Sequence, residues 1–207
     1  MENRAAFNGQ DIISETKDLK TGNVIKKMIK VFIGIGSNIN PEKNIIQGLT
    51  LLSRTEKIIT VSNFYQTSAI GKPDDPDFFN GVAAIETLCD PLELKHSLRE
   101  IESACGRVRT SDPYAPRPLD LDIVLYGDMV IREGGLVIPD PDIRLRAFIA
   151  IPIYEIDPCA VLPDTGEPVS NIIKKSDRSG IKLVADLSKI LQMKFQDNHV
   201  DNLSIQA

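Results

Sequence analysis

Two aspartates, Asp120 and Asp122, stand two positions apart in the apolar segment 119–126. Side chains at positions i and i+2 of a strand point to the same face of the sheet, so a strand here would place both carboxylates side by side. Such carboxylates repel each other unless a cation lies between them. Mg²⁺ suits the pair because it binds one or two carboxylates and leaves its other positions to water and phosphate. Alone the pattern is weak, since salt-bridged or solvated aspartates are common at strand ends.

Three arginines, Arg107, Arg109 and Arg117, precede the two aspartates in a loop-forming stretch. A guanidinium group is a forked donor that matches phosphate oxygens. In a chain with a net charge of −5, a local cationic cluster beside a carboxylate pair is typical of a site for metal and polyphosphate. The alternative is that each arginine is a solvated or salt-bridged surface charge.

Composition excludes several classes of protein. The chain has 207 residues, 42% hydrophobic and 26% charged, which predicts one globular domain with tails. An acidic chain does not favour broad binding of nucleic acid. It lacks an apolar run of about 18 residues, and its polar N-terminus is unlike a signal peptide. Cys89, Cys105 and Cys159 form no disulfide or zinc pattern, which favours the cytoplasm, and His96 and His199 receive no role.

Strand and helix patterns alternate around the aspartates. Apolar runs predict strands over 31–35, 57–66 and 79–87, before the strand that carries the two aspartates. Apolar residues at helical spacing predict one helix after the first strand and another after the third. The order β-α-β-β-α-β predicts an α+β fold with a ferredoxin-like core, in which helices pack on a largely antiparallel sheet.

Helix starts are marked by polar residues followed by proline. Asn40 is predicted to cap the first helix, with Pro41 at its first position. Asp90 is predicted to cap the second helix, with Pro91 first and Glu93 completing a capping box.

Patterning is weaker after the aspartate strand. The turn at 127–128 suggests a hairpin that pairs 129–131 with that strand. Residues 146–154 predict a short apolar helix, and 181–191 predict one more strand or helix. The last dozen residues are expected to fray.

The segment Arg117-Pro118-Leu119-Asp120-Leu121-Asp122-Ile123 resembles the signature of the 6-hydroxymethyl-7,8-dihydropterin pyrophosphokinase family. The resemblance covers about residues 29–165. Further matching motifs are Gly36-Ser37-Asn38, Phe64-Tyr65-Gln66-Thr67, Asp77-Phe78-Phe79-Asn80, Gly106-Arg107-Val108-Arg109, Arg146-Ala147-Phe148 and Pro152. Several motifs in the family's order carry more weight than any one alone.

The resemblance implies a reaction in folate biosynthesis. ATP would donate its terminal two phosphates, as a unit, to the hydroxymethyl group of 6-hydroxymethyl-7,8-dihydropterin, and AMP would be released. It also implies that Asp120 and Asp122 bind two Mg²⁺ ions. Arg107 and Arg117 would act with them as catalytic residues, donating charge-assisted hydrogen bonds to the phosphates.

The resemblance implies two sets of binding residues. For ATP they are Arg107, Arg109, Arg117, Ile123 and Arg146. For the pterin they are Thr67, Phe78, Asn80 and Phe148, although without the resemblance the two phenylalanines would be assigned to core packing. Tyr114 is expected to help close the site, and loops 67–77 and 107–116 are expected to move. Glu102 could support the nucleotide side or be a solvated charge.

Two positions depart from the family pattern on the nucleotide side. Asp140 stands where the family often has a histidine that contacts phosphate, and a carboxylate there is unfavourable unless a cation intervenes. Asp140 could turn to Arg144 or Arg146. Gly135 stands near a position where some members carry a basic residue.

The expected organisation is a polar N-terminal extension at 1–27, for which disorder is one interpretation, a pyrophosphokinase-like domain at 28–175 and a C-terminal extension at 176–207. We expect small-molecule substrates, no nucleic-acid or membrane partner, and a monomer or weak dimer. One alternative is a non-catalytic pterin- or nucleotide-binding relative. A second is a nucleotide-sugar glycosyltransferase using Asp-x-Asp for its metal, which would need a larger nucleotide domain.

Overall fold

The computed structural model describes residues 15–17, 24–69, 71–72, 74–110, 112 and 115–196. Its strands are β1 (Glu15–Lys17), β2 (Val24–Lys26), β3 (Ile29–Ser37), β4 (Lys57–Val61), β5 (Tyr65–Thr67), β6 (Phe78–Thr87), β7 (Asp120–Tyr126), β8 (Ile131–Glu133), β9 (Leu136–Ile138) and β10 (Lys182–Leu183). Its helices are α1 (Pro41–Leu52), α2 (Pro91–Ala104), α3 (Asp142–Leu145), α4 (Ala147–Ile156), α5 (Val169–Lys175) and α6 (Ala185–Phe195).

The main sheet is built around β3, which lies between β6 and β7. On its other edge β6 pairs with β4 along one part and with β5 along another, and β10 adds to β5. These pairings are all antiparallel. The succession β3-α1-β4-β6-α2-β7 confirms the predicted α+β fold with a ferredoxin-like core.

Side-chain alternation along β3 divides the core between the two faces of the sheet. Val31, Ile33 and Ile35 belong to a core shared with α1, α2 and α6, whereas Phe32 belongs to a second core shared with α3, α4 and α5. Helix residues of the first core include Ile45, Leu94, Leu187 and Leu191, and those of the second include Ile143, Ala150 and Ile172. Helices therefore cover both faces.

The predicted cap of α2 is confirmed, whereas the predicted cap of α1 is not. The Asp90 carboxylate accepts the amides of Leu92 and Glu93, both at 2.8 Å, and the Glu93 carboxylate accepts the Asp90 amide at 3.0 Å, which confirms the capping box. Helix α1 begins at Pro41 as predicted, but the side-chain cap by Asn40 is wrong. Asn40 adopts the left-handed conformation, with φ of 44°, and its side chain makes no capping bond.

The single strand predicted over 57–66 is two strands, β4 and β5. Ser62 causes the break, because its hydroxyl oxygen accepts the backbone amide of Val82 at 2.9 Å and so replaces a ladder bond. A side-chain acceptor of this kind diverts the backbone from regular pairing.

The predicted pairing of 129–131 with the aspartate strand is also wrong. Strand β8 pairs with β9 in a separate two-stranded sheet. Gly134 and Gly135, with φ of 61° and 70°, form the turn between them, and two residues with positive φ are what the tightest hairpin turns require. The helix predicted over 146–154 is confirmed as α4.

Part of the segment 176–207 packs on the sheet. β10 pairs with β5, and the buried side chains of Leu187 and Leu191 place α6 in the first core. The structure therefore resolves the prediction for 181–191 as a short strand followed by a helix. The predicted fraying falls almost wholly on 197–207, outside the described residues.

Of the segment 1–27, the structure describes an antiparallel pair formed by β1 and β2, together with Lys27. Among the described residues, the helices are too short or too polar to cross a bilayer.

Candidate active site

A cavity of about 410 Å³ opens on the face of the sheet that carries α4. Gly34 and Gly36 of β3 form part of its floor, where any side chain would project into the space. A Cβ added at Gly36 would lie 3.1 Å from the Asn80 side-chain oxygen and 3.8 Å from Asp120 Cβ. The absence of side chains at these positions keeps the cavity open.

The predicted carboxylate pair lies in this cavity. Asp120 and Asp122 share one face of β7, while Leu121 and Ile123 are buried in the core on the opposite face, as the alternation predicted. Asp120 accepts a hydrogen bond from Arg117 Nη1 at 2.6 Å and a short one from Arg107 Nη1. Two predicted arginines thus meet at one predicted aspartate.

The surroundings of Asp122 disfavour its ionised form. Its carboxylate is in contact with solvent in the cavity, but the surrounding protein displaces much of its hydration. This desolvation, followed by the like charges of Asp120 and Asp140, raises the pKa of Asp122 to about 7. The site is therefore short of positive charge at Asp122, which a bound cation would supply.

Glu102 of α2 holds two of the predicted arginines together. Its side chain is only 2% exposed and accepts hydrogen bonds from Arg107 Nη1 at 2.5 Å, Arg109 Nη2 at 2.7 Å and the Leu121 amide at 2.9 Å. Burial raises the pKa of Glu102, and the amide and the guanidinium groups oppose that rise. Glu102 therefore positions Arg107 and Arg109 against β7, and the interpretation of a solvated charge is wrong.

The four predicted pterin residues line the first cavity together. The rings of Phe78 and Phe148 border the open space, so packing into the core is not their sole role. Asn80 Nδ2 donates to Thr67 Oγ1 at 2.9 Å, which fixes the orientation of a buried amide. The Arg117 guanidinium lies 5.7 Å from the Phe78 ring centroid, linking the aromatic side of the cavity to the charged side.

A second cavity of about 380 Å³ adjoins the first on the side of α2 and the β8–β9 hairpin. Asp122, Asp140 and Asp142 line both cavities and so mark their junction. Two predicted nucleotide residues, Arg109 and Ile123, line the second cavity. Arg146 and Arg117 line the first cavity, whereas Arg107 lines neither of these two cavities and bonds to Asp120.

The end of β3 is tied to the loops that flank the site. The Asn38 side chain accepts the Arg117 amide at 2.7 Å and donates to the Pro76 carbonyl at 3.2 Å. Lys72 of loop 67–77 forms a short ion pair with Asp112 of loop 107–116. The loops are thus connected to each other and to the sheet; Tyr114 lies outside the described residues.

Asp140 does not pair with either predicted arginine. It accepts the Asp142 amide at 2.8 Å, while Arg144 donates to Asp164 at 2.6 Å and Arg146 Nε lies 3.9 Å from Asp142 Oδ2. Burial, with the like charge of Asp142, raises the pKa of Asp140.

Comparison with known proteins identifies the family. A family model described as 7,8-dihydro-6-hydroxymethylpterin-pyrophosphokinase (HPPK) matches residues 32–158. The chain belongs to this family. The match extends from β3 through α4 and includes both cavities, and it confirms the resemblance inferred from the signature.

Two similar pyrophosphokinases come from bacteria. The 2-amino-4-hydroxy-6-hydroxymethyldihydropteridine pyrophosphokinase of Haemophilus influenzae is 38% identical over 161 residues, which cover 75% of this chain and 99% of that protein. The protein of the same name from Synechocystis is 34% identical over 157 residues, covering 74% and 79%.

The fold is shared with solved structures of the family. The Plasmodium falciparum HPPK-DHPS structure aligns with a TM-score of 0.56 at 14% identity, covering 72% of this chain and 41% of that chain. This chain therefore corresponds to less than half of that protein.

Sequence reasoning gave Glu102 no firm role, although a signal was present. Glu102 follows Leu98 by four positions and therefore lies on the buried stripe of α2. A charge on such a stripe needs partners, and Arg107 and Arg109 supply them. The sequence predicts Gly34 and Gly36 as part of a strand and its turn, and this pattern does not indicate that they leave the cavity floor open.

Proposed function

We propose that this protein transfers a pyrophosphoryl group from ATP to the hydroxymethyl group of 6-hydroxymethyl-7,8-dihydropterin, within folate biosynthesis in the cytoplasm. The observation that carries the proposal is that two cavities meet at Asp122, one member of the carboxylate pair, with aromatic rings in one cavity and cationic residues around the other. The names of the two bacterial relatives support the same substrates.

Asp120 and Asp122 would hold two Mg²⁺ ions. Among the described residues, no three His, Cys, Asp or Glu side chains are grouped as a metal site. Two carboxylates nevertheless fit Mg²⁺, which takes its remaining ligands from phosphate and water. Desolvation and the like charges of Asp120 and Asp140, which raise the pKa of Asp122, also favour a cation beside it. Bound there, the ions would neutralise phosphate charge and lower the pKa of the attacking hydroxyl.

In such a reaction the main contribution of the protein is to position the reacting groups. The pterin hydroxymethyl oxygen would release its proton to solvent and form a bond to the β-phosphorus of ATP, and the bond from that phosphorus to the oxygen of the α-phosphate would break, so that AMP leaves. Arg107 and Arg117, now oriented by Asp120, would donate hydrogen bonds to the phosphate oxygens as charge moves to the leaving group.

The pterin would occupy the first cavity. Phe78 and Phe148 offer apolar ring faces for a flat heterocycle. The Asn80 amide, held by Thr67, offers both a donor and an acceptor to the ring edge. Closure of the loops joined by Lys72 and Asp112 would exclude water, which otherwise competes with the hydroxymethyl group as acceptor.

The decisive experiment is AMP formation from ATP and Mg²⁺, with and without 6-hydroxymethyl-7,8-dihydropterin. We expect AMP only when the pterin is present. Asp122→Asn should abolish turnover, whereas Asp128→Asn, an exposed aspartate in the turn after the same strand, should leave it unchanged. Pterin binding without AMP formation would instead indicate a non-catalytic relative.

A further inference from the structure

The second cavity is bordered by positive charge from α2 and from Arg109. Lys95 and Arg99 lie one helical turn apart on α2, and Arg109 joins them in the cavity wall. Apolar side chains that line the same cavity are Leu98, Leu121, Ile123, Leu136 and Val137. The cavity therefore combines apolar walls with donors, which suits a ligand that has both an apolar ring and anionic groups.

Lys95 reaches across this cavity to the β8–β9 hairpin. Its Nζ makes a short hydrogen bond to the carbonyl oxygen of Gly135. A Cβ added at Gly135 would lie 3.8 Å from that Nζ, so the lysine amine approaches the space that a side chain at 135 would enter. The hairpin contributes no charge at this point, and α2 contributes the ammonium group instead.

The environment of Lys95 makes its amine available to a ligand. The side chain is half-buried. Burial, followed by the like charge of Arg99, lowers the pKa of Lys95, while Asp122 acts in the opposite direction. A partly desolvated amine that holds one neutral carbonyl gains from exchanging that acceptor for an acceptor on an anionic ligand.

We propose that Lys95 contacts the nucleotide in the second cavity and sets the affinity of this chain for ATP. This inference rests on the proposed function, because that function makes ATP the occupant. The ligand chemistry is a hydrogen-bond acceptor, supplied by a phosphate oxygen or by the nucleoside. Asp140 and Asp142 leave the junction rich in negative charge, and Lys95 offsets part of that charge for an incoming polyphosphate.

The test is calorimetric titration of ATP with Mg²⁺ into the full chain without pterin. Lys95→Met should raise the Kd about fivefold to twentyfold, as expected for loss of a charge-assisted hydrogen bond. Lys95→Arg keeps the charge and the donors and should recover most of the affinity. Lys174→Met, an exposed lysine of α5, removes the same charge elsewhere and should leave the Kd unchanged.

Inorganic tripolyphosphate with Mg²⁺ identifies the acceptor. If Lys95→Met weakens tripolyphosphate as much as ATP, the acceptor is a phosphate oxygen; if only ATP weakens, it is the nucleoside. Equal Kd values for ATP in the wild type and Lys95→Met, with unchanged circular dichroism, would overturn the proposal, and so would an equal loss in Lys174→Met.

This outcome is separable from the proposed function. If the wild type forms no AMP with the pterin but Lys95→Met still weakens ATP binding, the lysine assignment stands and the function fails. If the wild type forms AMP and Lys95→Met binds ATP normally, the function stands and the assignment fails.

Discussion

Asp122→Asn should stabilise the metal-free protein at neutral pH, although we expect the same substitution to abolish turnover. Desolvation and the like charges of Asp120 and Asp140 raise the pKa of Asp122 from 3.8 to about 7. Because the folded-state pKa exceeds that of the unfolded chain, the folded state binds the proton more tightly. The free energy of unfolding therefore carries no penalty from Asp122 below about pH 4, and it falls as the pH rises towards 7 and Asp122 ionises. Asparagine does not ionise, so the variant escapes this loss.

The size of the effect follows from the same pKa. The difference between 3.8 and about 7 corresponds to about 4 kcal/mol in the free energy of unfolding. Water in the cavity reaches the Asp122 carboxylate and screens part of that repulsion. We therefore expect a gain of about 1–2 kcal/mol at pH 8 and none below about pH 4.

The assay is urea unfolding of the wild type and Asp122→Asn in EDTA, repeated between pH 4 and 8. Asp128→Asn is the matched control, since it removes an exposed charge just after the same strand. Mg²⁺ should then stabilise the wild type by mass action but not Asp122→Asn.

Two outcomes would refute this reasoning. If Asp122→Asn and Asp128→Asn unfold alike at pH 8, like charges do not crowd Asp122. If Asp122→Asn is more stable by the same amount at every pH, the gain comes from altered packing and not from a carboxylate that ionises.

Three further substitutions test the cavity floor, the loops and the C-terminal helix. Gly36→Ala places a Cβ 3.1 Å from the Asn80 side-chain oxygen. It should raise the KM for the pterin about tenfold without changing the KM for ATP. Equal changes in both KM values would contradict a pterin-specific role. Lys72→Glu breaks the exposed ion pair between Lys72 and Asp112 and should lower kcat/KM by about fivefold or less. Adding Asp112→Lys should restore kcat/KM in the double variant. Purely additive effects would contradict coupling of the loops. Leu191→Ala should lower the free energy of unfolding in urea by about 2–4 kcal/mol, because the side chain is fully buried, and a loss below about 0.5 kcal/mol would show that α6 adds little.

The strand that carries Asp120 and Asp122 was predictable because its sequence signal is local. A period of two fixes which side chains share a face, so Asp120 and Asp122 had to face away from Leu121 and Ile123 once the segment formed a strand. The capping box at Asp90 is local in the same sense, since its donors and acceptors lie within three residues.

Other elements depended on competition between local signals. The pair Gly134-Gly135 is a hairpin signal in its own right, but the preceding turn at 127–128 offered an alternative partner for the next strand. Asn40 carries a good capping side chain, yet its backbone is left-handed and not extended as in most capping residues, and its side chain makes no capping bond. Such choices are decided by tertiary packing, which a single sequence does not display.

The charge balance of the site could not be predicted, because it depends on which charges meet across elements. The first cavity is lined by four aspartates and two arginines, and one of those arginines, Arg117, is already bonded to Asp120. A polyphosphate entering this cavity alone would face net repulsion. For the proposed reaction we therefore expect positive charge from two further sources: a cation at Asp122, and the cationic wall of the second cavity to which Lys95 belongs. If only one source is present, the negative charge of Asp140 at the junction still repels the phosphates. Lys95→Met should therefore raise the Kd for ATP most at low Mg²⁺ concentration.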